Sequence, residues 1–100
     1  QIAAVEIRIR PPLSFGITKK TGGLILQEEI IEGETLGLLL TRLTDQMPAA
    51  IDRIYSAADE EIFPPVVTVL NGSIISRREA LQQFLEDGDK ITWFLMYAGG

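Results

Sequence analysis

Carboxylates and glycines are the residues of this chain whose types and spacing could do chemistry. The sequence has 100 residues and contains no cysteine and no histidine. Without them, the chain has no zinc site of the Cys/His type, no thiol nucleophile, no disulfide and no imidazole base. We therefore do not expect an enzyme that carries its own set of catalytic side chains.

Acidic residues form three short clusters, at 28–29, 59–61 and 86–89. Paired carboxylates act in acid–base catalysis when burial separates their pKa values. Each cluster falls at a strand edge, in a loop or in a turn, so we interpret all three as solvated surface. The ligand spacing of a calcium loop and the glycine-rich phosphate-binding motifs are both missing from the sequence. We expect the chain itself to bind no metal and no cofactor.

The charge of the chain argues against nucleic acid as a partner. Fourteen acidic and nine basic residues give a net charge of −5, which opposes binding to a polyanion. The distribution is uneven, since residues 1–23 carry a local charge of +3 and residues 24–100 one of −8. No apolar run approaches the ~20 residues of a membrane span, and no segment resembles a signal peptide. We expect neither nucleic acid nor a membrane as a partner, and a cytoplasmic location.

Alternation of apolar and polar residues predicts a hairpin at the start of the chain. Residues 3–9 alternate with the period of a half-buried strand, and Pro11-Pro12 end it. A glycine-containing loop over 13–23 then leads to a second strand at 24–31.

Leucines at helical spacing follow this hairpin. Thr35 is a suitable N-cap for a helix over 36–46, whose apolar stripe would lie across a sheet, and Pro48 ends the pattern. Helical spacing resumes over 51–58, which predicts a short second helix.

The second half of the chain returns to strands. The run Val66–Leu70, the dipeptide Asn71-Gly72 and the run Ser73–Ile75 predict a tight hairpin with a type I′ turn. Ser76 and Glu79 then form a capping-box pattern for another short helix.

Three further features complete the pattern of elements. We expect the short helix to bury an edge made of Leu81, Phe84 and Leu85. Asp87-Gly88-Asp89 predicts a turn, and Ile91–Tyr97 a final apolar strand. The whole chain, 1–100, is thus expected to form a single α+β domain with an antiparallel-rich sheet packed on one side by the 36–46 helix.

Two glycines follow the final strand. Gly99 and Gly100 have no side chain to pack, so we expect a flexible tail that can enter a channel too narrow for a Cβ. The α-carboxyl group has a reference pKa of about 3.3 to 3.7, so it is an anion at neutral pH that can attack a phosphoryl centre. Chemistry at its carbonyl carbon requires prior activation.

Several motifs in this order resemble the MoaD/ThiS family of ubiquitin-like sulfur carriers, the small subunit of molybdopterin synthase and the thiamine-pathway carrier. They are the helix entry Glu34-Thr35-Leu36-Gly37, the hairpin Leu70-Asn71-Gly72, the turn from Leu85 to Ile91, and the end Ala98-Gly99-Gly100. The resemblance implies a ubiquitin-like β-grasp fold, in which a mixed, largely antiparallel sheet packs on one main helix.

The resemblance also implies a role for the tail. The carboxylate of Gly100 would be adenylated by an ATP-dependent enzyme of the ubiquitin-activating type. Gly99 would be the second residue of the tail that has no side chain. The resulting thiocarboxylate would donate sulfur to a precursor held by a synthase, either the large molybdopterin synthase subunit or thiazole synthase. The chain would then be a protein co-substrate rather than an enzyme, with ATP used by its partner. Which pathway receives the sulfur is left open.

Docking of these partners would use the surface beside the tail. If Ile91 and Trp93 point inward, alternation places Phe94 and Met96 on the opposite face, and the resemblance extends the partner-binding surface to Tyr97 and Ala98. The alternative is that Phe94 packs beneath the 49–58 segment.

Two other functions compete with the sulfur carrier. The first is a ubiquitin-like interaction module or protein modifier that never carries sulfur. The second is a carboxylate-based hydrolase, for which no supporting group is present in the sequence.

Overall fold

Five strands form one mixed sheet in the computed structural model, which describes residues 2–96. The strand order is β2-β1-β7-β5-β6, with β1 and β7 parallel and the other neighbours antiparallel; β3 and β4 form a separate two-stranded ribbon. The elements in chain order are β1 (Ala3–Ile9), β2 (Leu24–Ile30), α1 (Leu36–Gln46), α2 (Pro48–Ile51), β3 (Tyr55–Ser56), β4 (Glu61–Ile62), β5 (Val66–Leu70), β6 (Ser73–Ile75), α3 (Arg77–Gln82) and β7 (Lys90–Leu95).

Helix α1 covers one face of this sheet, as the leucine spacing predicts. The hydroxyl of Thr35 accepts a hydrogen bond from the backbone N–H of Leu38 at 3.2 Å, which caps the first turn. The apolar stripe of the helix is fully buried against the inner residues of β1 and β7: Leu36, Leu39, Leu40 and Leu43 pack in one cluster with Val5, Ile7, Ile9, Ile91 and Trp93. The opposite face of the sheet carries no helix among residues 2–96.

The predicted Asn71-Gly72 hairpin is confirmed. Asn71 and Gly72 have φ angles of 50° and 86°, the left-handed conformation that a type I′ turn requires at both positions. The side chain of Asn71 also accepts from the N–H of Lys90 and donates to the carboxylate of Asp89, both at 2.9 Å. These contacts tie the hairpin to the turn that precedes β7.

The predicted second helix over 51–58 is wrong in its extent. Helix α2 ends at Ile51, and Tyr55–Ser56 pair with Glu61–Ile62 in the small ribbon. Ile54 and Tyr55 are buried, as their spacing suggests. The carbonyl of Ile54 accepts from the N–H of Phe63 at 2.9 Å, however, so a distant segment supplies the partner that a helix would have provided.

The prediction that Phe84 is buried is also wrong, since its side chain is 70% exposed. Helix α3 ends at Gln82, and the chain then runs extended beside the entry to α1. Alternation along this extended segment turns Leu85 into the core, at 5% exposure, and turns Phe84 to solvent.

Strand β7 ends at Leu95, two residues before the predicted end. Tyr97, the predicted last strand residue, lies outside the described residues. Among the helices of residues 2–96, none has the length and apolar character needed to span a bilayer.

Candidate functional site

The chain leaves the sheet at its centre, between β1 and β5. The backbone N–H of Arg10 donates to the carbonyl of Trp93, and that of Met96 donates to the carbonyl of Pro65, both at 3.0 Å. These hydrogen bonds hold the chain as far as Trp93 on the β1 side and as far as Met96 on the β5 side. Gly100 follows four residues later, within at most about 14 Å of extended chain.

The four predicted site residues of the tail are Tyr97, Ala98, Gly99 and Gly100, and they lie outside the described residues. The structure describes the other two, Phe94 and Met96. The candidate site therefore consists of the end of β7 and the surface around it.

Strand β7 has one buried and one open face. Trp93 is fully buried, and its indole N–H donates to the hydroxyl of Thr68 at 3.0 Å. Phe94, the next residue, consequently faces away from the helix layer, where it lies opposite Val67 on β5. It is half-buried and does not lie beneath the 49–58 segment, because Ile51 and Ile54 of that segment pack on the Trp93 side.

An apolar surface surrounds the point where the chain leaves the sheet. We call Val67, Phe94 and Met96 the tail-side patch; Val67 and Phe94 are half-buried and Met96 is 65% exposed. Two basic residues border this patch: Arg8 of β1 lies opposite Thr92, and Arg10, the residue that directly follows β1, lies on the same face. Arg8 is paired with Glu6 at 2.8 Å, so the site combines an apolar centre with the side chain of Arg10 at one side.

Val67 and Arg10 belong to this site but are missing from the sequence-based prediction. Val67 lies in β5 and Arg10 directly follows β1, and alternation along each segment gives the face on which the residue lies. Their closeness to Phe94 depends on the parallel pairing of β1 with β7 and the antiparallel pairing of β5 with β7. That pairing joins distant parts of the chain, and no local pattern reports it.

The described side chains do not form a catalytic constellation. Most carboxylates are exposed, including Glu29, Glu60 and Glu86 of the three acidic clusters. Glu34 is the buried carboxylate among residues 2–96, at 7% exposure, and its oxygens accept from the backbone N–H of Ile31 and from the guanidinium of Arg42. These contacts hold the end of β2 against α1. Because both carboxylate oxygens accept hydrogen bonds there, the carboxylate is not available as a general base.

A metal centre is likewise not formed by the residues that the structure describes. Between Ile2 and Met96, no group of three or more acidic side chains is close enough together to hold a metal ion.

Comparisons with known proteins find similarity to solved structures but no match to a family model or a curated sequence. Small archaeal modifier protein 1 (SAMP1) from Methanosarcina acetivorans is 26% identical, with a TM-score of 0.71 over 100% of this chain and 99% of that one.

Two structures from Haloferax volcanii show the same similarity. SAMP1 is 21% identical, with a TM-score of 0.71 over 97% of this chain and 99% of that one. The HVO 2177 protein is 23% identical, with a TM-score of 0.72 over 99% of this chain and 88% of that one. The predicted fold class is confirmed: the chain has the ubiquitin-like β-grasp fold, which it shares with small archaeal modifier proteins of known structure.

Proposed function

We propose that this protein is a ubiquitin-like sulfur carrier. The carboxylate of Gly100 is adenylated by an ATP-dependent enzyme of the ubiquitin-activating type and then converted to a thiocarboxylate. The sulfur serves the synthesis of molybdopterin or a related cofactor, with the large synthase subunit or thiazole synthase as the acceptor enzyme. The chain is a co-substrate of these enzymes and binds no cofactor itself.

The observation that carries this proposal is the position at which β7 leaves the sheet. Met96 is held by Pro65 at the centre of the sheet, beside the apolar side chain of Phe94, and the Gly99-Gly100 pair follows within four residues. An enzyme that binds the tail-side patch would receive Gly100 at a defined distance from the bound domain. Such a carrier contributes proximity, and it needs no acid–base group of its own.

The proposed cycle consists of adenylation, sulfur transfer and hydrolysis, and the partner enzymes supply the reagents for each step. A carboxylate oxygen of Gly100 attacks the α-phosphorus of ATP, and pyrophosphate leaves. A sulfide-level sulfur donor then attacks the acyl carbon, and AMP leaves with the oxygen that bridged the two groups. When the sulfur has passed to the acceptor, water restores the carboxylate, so the chain re-enters the cycle unchanged.

A protein modifier is the second candidate function. Its support is the similarity in fold to proteins that are named small archaeal modifiers, one of which is 26% identical along the full chain. The modifier would share the adenylation step and then form an amide bond between the carboxyl group of Gly100 and a lysine amine of a target protein. The two functions diverge only after AMP is attached.

Intact-mass measurement after reaction separates the two functions. The chain is incubated with ATP, its cognate activating enzyme and sulfide, with a matched sample in which ATP is omitted. The sulfur carrier predicts a product whose mass corresponds to replacement of one oxygen by sulfur, formed only with ATP and located at Gly100 by fragmentation.

Conjugates to protein lysines without this product would favour the modifier. If neither adenylate nor thiocarboxylate forms with an activating enzyme that is active on its other substrates, the sulfur-carrier proposal is wrong.

A further inference from the structure

A groove of about 760 Å³ lies at the end of the domain opposite to the last residues of β7. It is formed by the start of β1, the end of β2 with the loop that follows it, and the segment 84–87 between α3 and β7. Because β1 and β7 run parallel, the first residues of β1 and the last residues of β7 lie about 30 Å apart. A protein bound in the groove would therefore leave the tail-side patch free.

The apolar floor of the groove includes an exposed aromatic side chain whose backbone is held in place by its neighbours. Ile2, Ile30, Phe84 and Leu85 provide this floor. The residues on both sides of Phe84 are hydrogen-bonded to the entry of α1, since Gln83 accepts from the N–H of Leu36 and Leu85 donates to the carbonyl of Glu34, each at 2.9 Å. A large aromatic side chain on a fixed backbone loses little conformational entropy on binding, which is typical of residues that dominate interface energies.

The opposite wall is fixed in the same way. The backbone of Ala4 donates to the carboxylate of Asp87 at 2.9 Å and accepts from the N–H of Gly88 at 2.8 Å. The segment 86–89 is thereby joined to β1, so the groove exists before any partner arrives.

The rim of the groove is acidic. Glu29, Glu32, Glu86 and Asp87 line it, and no lysine or arginine does so among residues 2–96. Among residues 2–96, the carboxylates that form ion pairs are Glu6, Glu34 and Glu61. None of the four rim carboxylates is therefore paired with a lysine or arginine of the described residues. Four like charges around an apolar floor favour an occupant that is both apolar and positively charged.

We propose that this groove binds a basic amphipathic peptide segment of a partner protein. Apolar side chains of the segment contact Phe84 and Ile30, and its lysine or arginine side chains pair with Glu29, Glu32 and Glu86. Binding here is independent of the chemistry at Gly100, and it allows the protein to hold one partner while its tail is inside another.

Titration with a synthetic peptide, followed by amide chemical shifts, tests the proposal on the full chain. The probe is a short peptide with leucine at helical spacing and lysine elsewhere, and its counterpart has glutamate in place of lysine. We expect the lysine peptide alone to bind, with shifts concentrated at 29–33 and 84–87 and an affinity that falls as salt is added.

One single and one double substitution, each with a matched control, locate the binding surface. Phe84→Ala is expected to weaken binding about tenfold, whereas Leu38→Ala, which removes an apolar side chain of similar exposure on α1, is expected to leave it unchanged. The pair Glu32→Lys and Glu86→Lys is expected to weaken binding at least about tenfold. The pair Asp45→Lys and Glu79→Lys makes the same change in net charge at exposed positions outside the groove.

Several results would overturn the proposal. These are failure of the lysine peptide to bind, equal binding of the glutamate peptide, shifts centred on the open face of the sheet, and equal losses in the control variants. A second copy of the chain is the other occupant that the groove could bind. Sedimentation of the free protein tests for it, because self-association that Phe84→Ala abolishes would identify this second copy in the groove. Thermal melting of each variant verifies that it is folded.

Discussion

The indole N–H of Trp93 and the hydroxyl of Thr68 form a buried hydrogen bond of 3.0 Å between β7 and β5. This bond fixes the buried face of β7, and strand alternation then places Phe94 on the open face beside the chain exit. The tail-side patch therefore depends on an interaction that lies in the core, on the other side of the sheet.

Removal of the Thr68 hydroxyl is expected to destabilise the fold. Thr68→Val keeps the shape of the side chain but leaves the Trp93 N–H buried without an acceptor, which costs about 1–3 kcal/mol. Urea unfolding measures this loss. Thr68→Ser retains the acceptor and serves as the control, so an equal loss in both variants would mean that packing and not the hydrogen bond is responsible.

The ion pair between Glu34 and Arg42 predicts a contrast between buried and exposed charge pairs. Glu34→Ala removes the carboxylate partner of Arg42, which keeps only the carbonyl of Glu29, and it removes the acceptor of the Ile31 N–H; we expect the free energy of unfolding to fall by about 1–3 kcal/mol. Arg8→Ala breaks a pair in which the arginine side chain is half-exposed, and its expected effect is below about 1 kcal/mol. Similar unfolding midpoints for the two variants would contradict this interpretation.

Substitution of Phe94 tests the tail-side patch. Phe94→Asp places a charge in the centre of the patch, and we expect the activating enzyme to need at least about a tenfold higher concentration of the protein for half-maximal adenylation. Ile25→Asp, at an exposed position on the same open face but on the edge strand β2, is the control and is expected to leave adenylation unchanged. Unfolding of the Phe94 variant, seen as loss of the thermal transition, would instead assign Phe94 to the stability of the domain.

Larger side chains at Gly99 are expected to impair activation in order of size. Gly99→Ala adds one carbon and Gly99→Val a branched group, and a channel shaped for glycine excludes the second more strongly than the first. The rate of AMP transfer to the chain measures the effect, and thermal melting of both variants should match the parent protein. Equal rates for all three proteins would contradict a narrow channel.

Local interactions explain which parts of the fold could be predicted. The Thr35 and Ser76 caps and the Asn71-Gly72 turn were correct because each rests on residues within four positions of one another. Alternation in β7 also gave the correct faces for Trp93 and Phe94.

Contacts between distant segments explain the features that could not be predicted from the sequence. The exposure of Phe84 follows from its pairing with Thr35, and the early end of α2 is accompanied by the hydrogen bond from Phe63 to Ile54. Burial of Glu34 likewise depends on Arg42, eight residues away. No pattern of spacing in the sequence reports these pairings.

The most direct test of the central claim changes only the terminal group of Gly100. The chain is prepared with a free carboxylate and, by semisynthesis, with a carboxamide at the same residue, and each form is assayed for ATP–pyrophosphate exchange with the activating enzyme. We predict exchange with the carboxylate and none with the carboxamide, although the carboxamide form keeps the tail-side patch and competes for binding. Equal exchange with both forms would show that the Gly100 carboxylate is not the activated group.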